Sequence, residues 1–211
     1  MKGVMSPAGC KKMGCKTRVP GDLTGILSGY LVKKRIYAAL PYLEGKKRIL
    51  DIGCGIFRWG DLLPAGSEYI GLDHERAIVE YNQERFPYTF FNMDVEKDDL
   101  SRCGKGFDLI IMLAVIEHFK SPYAVMERLK GLLAPQGIIV LTTPHPISTL
   151  VLDCGARFKL FARDKHTHRD LLGRDALNGL TDSCGFRLNK YKRFLLGFNQ
   201  LAVLNKREDE R

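Results

Sequence analysis

Short apolar segments alternate with segments of helical apolar spacing between residues 48 and 142. The apolar segments are nearly continuous in Ile, Leu and Val, which is typical of parallel strands covered on both faces of a sheet. Parallel strands need crossover connections, and these are usually helices. The alternation therefore predicts an α/β fold with a doubly wound, mostly parallel, Rossmann-like sheet.

The apolar runs and the Gly and Pro residues between them set the predicted elements. Strands are predicted at 48–52, 69–72, 89–93, 107–112 and 138–142, with helices near 59–63 and at 75–85 and 122–133. A later helix at 175–184 precedes strands at 186–194 and 198–205. The Leu-Leu-Gly connection between these two is too short for a parallel crossover, so the last of seven strands is predicted to be antiparallel.

The ends of the chain predict less regular structure. Helical spacing over 23–43 predicts an N-terminal helical extension, whereas residues 1–22 lack periodicity and predict a mobile basic tail. With 211 residues and 45% apolar content, the chain is long enough for one sizeable core. We expect one domain over 23–211, with 144–170 as a lid or a substrate-side insertion.

Charge is distributed unevenly along the chain. The net charge is +9, yet residues 49–143 hold 14 Asp/Glu against 9 Lys/Arg, and both flanks are basic. An acidic centre suits a cationic or hydroxyl-rich ligand, while basic flanks suit an anionic substrate, nucleic acid or membrane surface. A solvated basic tail that aids solubility explains the flanks equally well.

The six cysteines are scattered through a core-rich sequence, which predicts free thiols rather than a disulfide scaffold. Cys10 and Cys15 have no obvious second pair of ligands, so no metal site is predicted. No apolar run approaches the roughly 18 residues of a membrane-spanning helix, and no apolar signal core follows the first residues. We expect a cytoplasmic protein without a membrane span.

The segment ILDIGCG, residues 49–55, predicts a buried strand followed by a glycine turn. In an open parallel sheet, ligands lie beyond the carboxyl ends of the strands, and the first turn approaches them most closely. Because glycine permits positive φ and close backbone approach, Asp51, Gly53, Cys54 and Gly55 are predicted to form the floor of a site. The third glycine of a dinucleotide fingerprint would fall at Arg58, which disfavours a nicotinamide cofactor without excluding it.

Two acids follow the next two predicted strands. Asp73, 18 residues after Gly55, can accept hydrogen bonds from ribose hydroxyls, which nicotinamide dinucleotides and S-adenosylmethionine share. The Asp94 carboxylate can accept a hydrogen bond from the adenine amino group. An acidic basin suits a ligand with an ammonium and a sulfonium better than one with two phosphates, so S-adenosylmethionine is favoured.

Five segments in this order resemble the motifs of class I S-adenosylmethionine-dependent methyltransferases, in the group that includes quinone, glycan and other small-molecule enzymes. They are ILDIGCG, IGLDHE, NMDVEKDD, FDLIIMLAVIEHF and LLAPQGIIVLTTPHP, and together they span residues 48–146. The segment HTHRDLLGRDALNGLTDSCGFRL is similar to the helix and Gly-Phe turn before the last two strands of that group. The resemblance implies a cofactor, S-adenosylmethionine, and methyl transfer to a small molecule.

The resemblance also implies roles for individual residues. Gly53 and Gly55 match the turn beneath the methionine part, with Asp51 behind them, and Asp73 matches the ribose acid, with His74 beside it. The adenine edge and the end of the fourth strand, which passes along the methionine moiety, are matched by Met93, Asp94, Val95, Leu113 and Ala114.

One residue departs from the family pattern. Phe57 stands where the family has a third glycine, two residues after Gly55. A bulky side chain there favours a remodelled or weakened site. A non-catalytic member of the family that binds a partner is therefore the first alternative function, and a nicotinamide-dependent oxidoreductase is the second.

Four histidines are predicted to lie near the methyl acceptor. Glu117 and His118 match an acid–histidine pair that often follows the fourth strand, and His118 is the predicted base for methylation of a hydroxyl oxygen. A pocket-shaping role is the alternative for His118. His145, His166 and His168 are predicted to face the substrate.

The acceptor is predicted to be a small molecule. Segment 146–165 mixes apolar clusters with basic residues, which predicts a lid, a basic surface for an anionic or lipid-linked substrate, or a packed insertion. Nucleic acid is disfavoured because the basic ends lack the interleaved aromatic residues of a base-stacking surface.

Overall fold

A computed structural model of the protein describes residues 28–148 and 171–207. Four α-helices lie in this part of the chain: α1 (Ser28–Ala39), α2 (Arg76–Arg85), α3 (Pro122–Lys130) and α4 (Arg174–Ser183). The strands are β1 (Arg48–Ile52), β2 (Glu68–Asp73), β3 (Thr89–Asn92), β4 (Phe107–Leu113), β5 (Leu133–Pro144), β6 (Phe186–Phe194) and β7 (Asn199–Lys206).

The strands form one sheet in the order β3-β2-β1-β4-β5-β7-β6. The first five are mutually parallel, whereas β7 runs antiparallel to both β5 and β6. The predicted fold class, a seven-stranded, mostly parallel sheet with an antiparallel last strand, is confirmed. The helical extension predicted before the sheet is present as α1 and a following 3-10 turn at Leu40–Tyr42.

Helices cover both faces of the sheet because successive strand residues point to opposite sides. Ile49 of β1 packs with the side chains of α1 and α2, and the adjacent Leu50 packs with those of α3 and α4; both are fully buried. The predicted site residues lie at the carboxyl ends of β1, β2 and β4, which meet at one edge of the sheet.

Two predicted helices differ from the structure. The helix near 59–63 is only a 3-10 turn at Gly60–Leu62, because Gly60 has a φ of 46° and Leu63 is extended ahead of Pro64. The helix predicted over 122–133 ends at Lys130, and residue 133 already begins β5. The strand predicted at 138–142 is correspondingly longer.

Several predictions lie outside the described residues. They include the tail at 1–22 and most of the lid at 144–170, of which residues 144–148 are described. Within the described ranges, no helix is long and apolar enough to cross a membrane.

The outer strand β6 is strongly basic. Among the described strands it pairs with β7 alone, and its exposed positions include Arg187, Lys190, Lys192 and Arg193.

Candidate functional site

The loop after β1 carries two glycines in the left-handed region, Gly53 with φ 65° and Gly55 with φ 55°. A Cβ on Gly53 would lie 2.6 Å from Cγ2 of Val115, so this position is closely packed by the loop after β4. A Cβ on Gly55 would have no atom within 4 Å. Gly55 therefore borders open space at the carboxyl edge of the sheet, which fits its predicted place in the floor of a ligand site.

Asp73 ends β2 beside this loop. Its Oδ2 accepts a 2.9 Å hydrogen bond from the N–H of Gly55, and its Oδ1 accepts one of 2.9 Å from the N–H of Glu75. The residue is 7% exposed. The two backbone hydrogen bonds fix Asp73 in place. Because a carboxylate offers about four lone-pair positions, Asp73 can still accept hydrogen bonds from two hydroxyls. His74, by contrast, points into solvent with 83% of its side chain exposed.

Asn82 of α2 holds the glycine loop and was not predicted from the sequence. Its Nδ2 donates to the carbonyl of Gly55 (2.8 Å), and its Oδ1 accepts from the N–H of Phe57 (3.0 Å). The side chain is fully buried. A signal was present, since Asn82 follows Ile78 at helical spacing on the apolar face of α2.

Asp51 is buried and Cys54 is half-buried at the loop. Oδ2 of Asp51 accepts hydrogen bonds from Trp59 Nε1 (2.8 Å) and the Tyr69 hydroxyl (2.7 Å), and burial raises the pKa of Asp51 to about 6. Burial also raises the pKa of the Cys54 thiol, which stays protonated. The structure thus places the Asp51 carboxylate against the core beneath the turn, where it supports the loop.

The side chain of Phe57 packs into the core and points away from the candidate crevice, the space beside Gly55 and Asp73 at the carboxyl edge of the sheet. It is 4% exposed and belongs to an aromatic cluster, with ring centroids 5.1 Å from Tyr69, 4.8 Å from Phe86 and 4.9 Å from Tyr88. The space beside Gly55 is therefore not filled by this ring. Its burial removes the observation that motivated a weakened site.

The predicted adenine edge is formed by the turn after β3. Met93 and Val95 direct buried side chains into the core, and the N–H of Met93 donates to the carbonyl of Asp73 (3.0 Å). Asp94 is partly exposed between them; its carboxylate accepts from Lys97 Nζ (2.5 Å) and from the N–H of Glu96 (3.0 Å). The Lys97 contact is the main reason the pKa of Asp94 is lowered.

The loop after β4 closes the other side of the crevice. Ala114 follows Leu113 with a φ of 60°, a conformation that costs a non-glycine residue of order 1–3 kcal/mol and that clusters at functional sites. Its N–H donates to the carbonyl of Thr142 (2.8 Å), which ties the loop to β5. The following 3-10 turn, Ile116–His118, buries Glu117 and exposes His118.

Polar residues from distant parts of the chain meet near Glu117. Arg35 of α1 donates from Nε to Oδ1 of Asn199 at the start of β7 (3.1 Å). Arg35 also lies close enough to Glu117 for their charges to interact. Arg35 was not predicted as a site residue, because nothing in a helix of mixed polar residues indicates which side chain reaches the sheet edge.

The other predicted histidines are only partly described. His145 follows β5, and its Nδ1 accepts from the N–H of Ile147 (3.2 Å). Burial, followed by the charge of Arg193, lowers the pKa of His145, so the imidazole is neutral near pH 7. His166 and His168 lie outside the described residues. Within residues 28–148 and 171–207, no three His, Cys, Asp or Glu side chains are grouped to hold a metal ion.

Comparisons with known proteins agree with this geometry. A family described as a methyltransferase domain matches residues 27–191. The ubiquinone biosynthesis O-methyltransferase of Cereibacter sphaeroides is 30% identical over 141 residues, which cover 62% of this chain and 55% of that protein. The chain thus spans a little over half the length of this curated relative.

Solved structures share the fold. A SAM-dependent methyltransferase from Archaeoglobus fulgidus superposes with a TM-score of 0.67 at 18% identity, covering 85% of this chain and 95% of that one. Magnesium protoporphyrin IX methyltransferase from Synechocystis PCC 6803, solved with bound SAM, superposes with a TM-score of 0.56 at 16% identity, covering 84% and 78%. Since the family match extends over most of the chain, the protein belongs to the methyltransferase-domain family.

Proposed function

We propose that the protein binds S-adenosylmethionine at the carboxyl edge of β1, β2 and β4 and transfers its methyl group to a hydroxyl of a small molecule. The observation that carries this proposal is the Asp73 carboxylate. It is held by the N–H groups of Gly55 and Glu75, it retains acceptor capacity, and it lies beside the open space at Gly55. Such a carboxylate suits a pair of ribose hydroxyls.

The remaining contacts of the cofactor follow from the loops around Asp73. Gly53, Cys54 and Gly55 offer backbone for close approach, supported from the core side by Asp51 and Asn82. The adenine edge and the methionine end are assigned to His74, Met93, Asp94, Val95, Leu113 and Ala114. Asp94 would exchange its solvent-exposed Lys97 partner for the adenine amino group.

Methyl transfer mainly requires the protein to align the cofactor with the acceptor. S-adenosylmethionine, when bound, supplies an electrophilic methyl group on a sulfonium. The chain has to orient the acceptor and exclude water, and correct orientation supplies much of the rate enhancement. The tied-down loop at Ala114 and Val115, packed against Gly53, provides a rigid wall for that purpose.

The turn at Ile116–His118 offers two groups that can accept a proton from a hydroxyl. His118 is the predicted base, and its side chain is exposed. Glu117 is buried next to it, and burial raises the pKa of its carboxyl, which brings an acid closer to the range of a useful general base. We propose His118 as the base and Glu117 as a contact of the acceptor.

Relatives support this choice of acceptor. The Cereibacter sphaeroides protein is named an O-methyltransferase of ubiquinone biosynthesis, and the Synechocystis structure holds SAM. A small-molecule partner rather than nucleic acid, substrate contacts from His145, His166 and His168, and a cytoplasmic location belong to the same proposal. The buried Phe57 ring favours a working site over a non-catalytic one.

Substitution of Asp73 tests the cofactor site. Asp73→Ala should weaken S-adenosylhomocysteine binding by roughly 1–3 kcal/mol, because charged hydrogen bonds are lost in a buried position. Isothermal titration calorimetry measures this change, and transfer of label from methyl-labelled S-adenosylmethionine to extracts of small hydroxylated molecules measures activity.

Asp108→Ala is the matched control. Asp108 also accepts hydrogen bonds from two backbone N–H groups, those of Lys47 (3.0 Å) and Arg48 (2.9 Å), but it lies near the start of β4, at the opposite edge of the sheet. The control should lose stability without losing cofactor affinity. Equal affinity in wild-type protein and Asp73→Ala would contradict the proposed site.

A further inference from the structure

The guanidinium of Arg35 is only partly used within the protein. Its Nε is held by Asn199, a buried residue, whereas Nη1 and Nη2 have neither a hydrogen bond nor an ion pair among residues 28–148 and 171–207. One hydrogen bond to a neutral amide therefore orients the group and leaves its remaining N–H donors available. A guanidinium presents these donors as a planar fork that matches a carboxylate.

The carboxylate of Glu117 is also incompletely satisfied. The residue is 9% exposed, and its Oε2 has no hydrogen-bond partner in the described part of the chain. Thr143 lies close enough to favour the charged carboxylate, but it makes no hydrogen bond to it, since Oγ1 of Thr143 also lacks a partner within residues 28–148 and 171–207. A buried acceptor without a donor is costly, so a polar ligand is the natural partner.

Arg35 and Glu117 interact through their charges without forming an ion pair. A direct pair would satisfy both groups, as buried charges usually require. Because they form no direct pair, Nη1 and Nη2 of Arg35 and Oε2 of Glu117 all lack a partner within the described residues and are available to one ligand. We call these two residues, with Thr143 and Asn199, the Arg35–Glu117 pocket.

The pocket lies beside the proposed methyl-transfer site. Glu117 follows Ala114 and Val115, and Val115 packs on Gly53 of the glycine loop. Thr143 and Asn199 stand at the ends of β5 and β7 that adjoin the same edge of the sheet, where Asn199 pairs with Pro144. A ligand in the pocket would therefore be next to the part of the crevice assigned to the methionine end.

We propose that the Arg35–Glu117 pocket binds a methyl acceptor that carries both a carboxylate and a hydroxyl. The carboxylate is held by the N–H groups of Nη1 and Nη2 of Arg35, and a hydroxyl other than the one that is methylated donates a hydrogen bond to Oε2 of Glu117. This inference rests on the proposed function, because it names the class of acceptor for the same crevice.

A pair of aromatic probes tests the proposal. 3-Hydroxybenzoate and 3-hydroxybenzamide have nearly the same shape, but only the first carries a charge. Binding of each to the wild-type protein saturated with S-adenosylhomocysteine is measured by ligand-detected NMR at millimolar concentration. We expect the acid to bind about ten-fold or more tightly than the amide, as a charged hydrogen bond requires.

Variants assign the preference to Arg35. Arg35→Gln should remove the preference for the acid, whereas Arg35→Lys, which keeps the charge but loses the fork, should retain only part of it. Arg76→Gln removes an exposed arginine of α2 and should keep the full preference. Thermal denaturation of each variant checks that it folds. If Arg35→Gln does not fold, the comparison of Arg35→Lys with the wild-type protein still tests the proposal.

The two proposals fail in different ways. If the wild-type protein does not bind S-adenosylhomocysteine, the proposed function is contradicted. Normal S-adenosylhomocysteine binding overturns the acceptor assignment if the wild-type protein binds the acid no better than the amide, or binds neither. Equal preference for the acid in Arg35→Gln and the wild-type protein would overturn it too.

Discussion

Asn82 links α2 to the loop that would carry the cofactor, and its removal should affect both stability and binding. Asn82→Ala leaves the carbonyl of Gly55 and the N–H of Phe57 without their partners. A buried polar group left unsatisfied costs about 1–3 kcal/mol. Gly55 borders open space, so water can replace part of its bond. We therefore expect a loss of about 2–4 kcal/mol in the free energy of unfolding.

The same substitution should release the glycine loop. Gly55 also donates to Asp73, so displacement of the loop disturbs the carboxylate proposed to hold the ribose. We expect S-adenosylhomocysteine binding to weaken about ten-fold, which is 1.4 kcal/mol. Urea denaturation measures the stability, and isothermal titration calorimetry measures the affinity.

Gln83→Ala is the control for Asn82→Ala. Gln83 is the next residue of α2, is exposed, and makes one hydrogen bond, from Nε2 to the carbonyl of Phe90 (2.9 Å). Its loss should cost about 1 kcal/mol or less. If both variants lose the same stability, or if Asn82→Ala keeps the wild-type affinity, the role given to Asn82 is refuted.

Two further predictions concern the same loop. The pKa of Asp51 is raised to about 6 from about 3.9 in unfolded chains. The folded protein therefore binds the Asp51 proton more tightly than the unfolded chain does, which stabilises the fold below about pH 4, and this stabilisation is lost as the pH rises through 6. Relative to wild type, Asp51→Asn should gain about 2–3 kcal/mol of unfolding free energy between pH 4 and pH 7 in urea titrations, and a constant difference would contradict this. Gly53→Ala places a Cβ 2.6 Å from Val115 whereas Gly55→Ala meets open space, so thermal denaturation should find the first variant clearly less stable; equal melting temperatures would argue against the packing at Gly53.

The strands were predictable because they are dictated by local composition. β1 begins and ends at the predicted residues because its apolar run is continuous. The β6–β7 hairpin differs from the prediction by one residue at each end of β7, since the short glycine connection leaves few alternatives. The helix expected near 59–63 was wrong because Gly60 and Pro64 outweigh three helical residues between them.

The site was predictable only where it depends on loops that follow strands. Gly55 and Asp73 are 18 residues apart, and parallel topology alone brings them together. Arg35 and Asn199 are 164 residues apart and belong to elements whose contact depends on how α1 packs on the sheet. No spacing rule connects such residues, and for the same reason the direction of the Phe57 side chain could not be read from its position after Gly55.

The lysine and arginine side chains of β6 disfavour the addition of a further strand at this edge of the sheet. An eighth strand from a second copy would lie about 4.8 Å away and bring its own lysines and arginines opposite Arg187, Lys190 and Lys192. Like charges facing each other across a strand pair are destabilising. The outer side of β6, which pairs with no strand of the described part of the chain, is therefore protected against edge-to-edge association with a second copy.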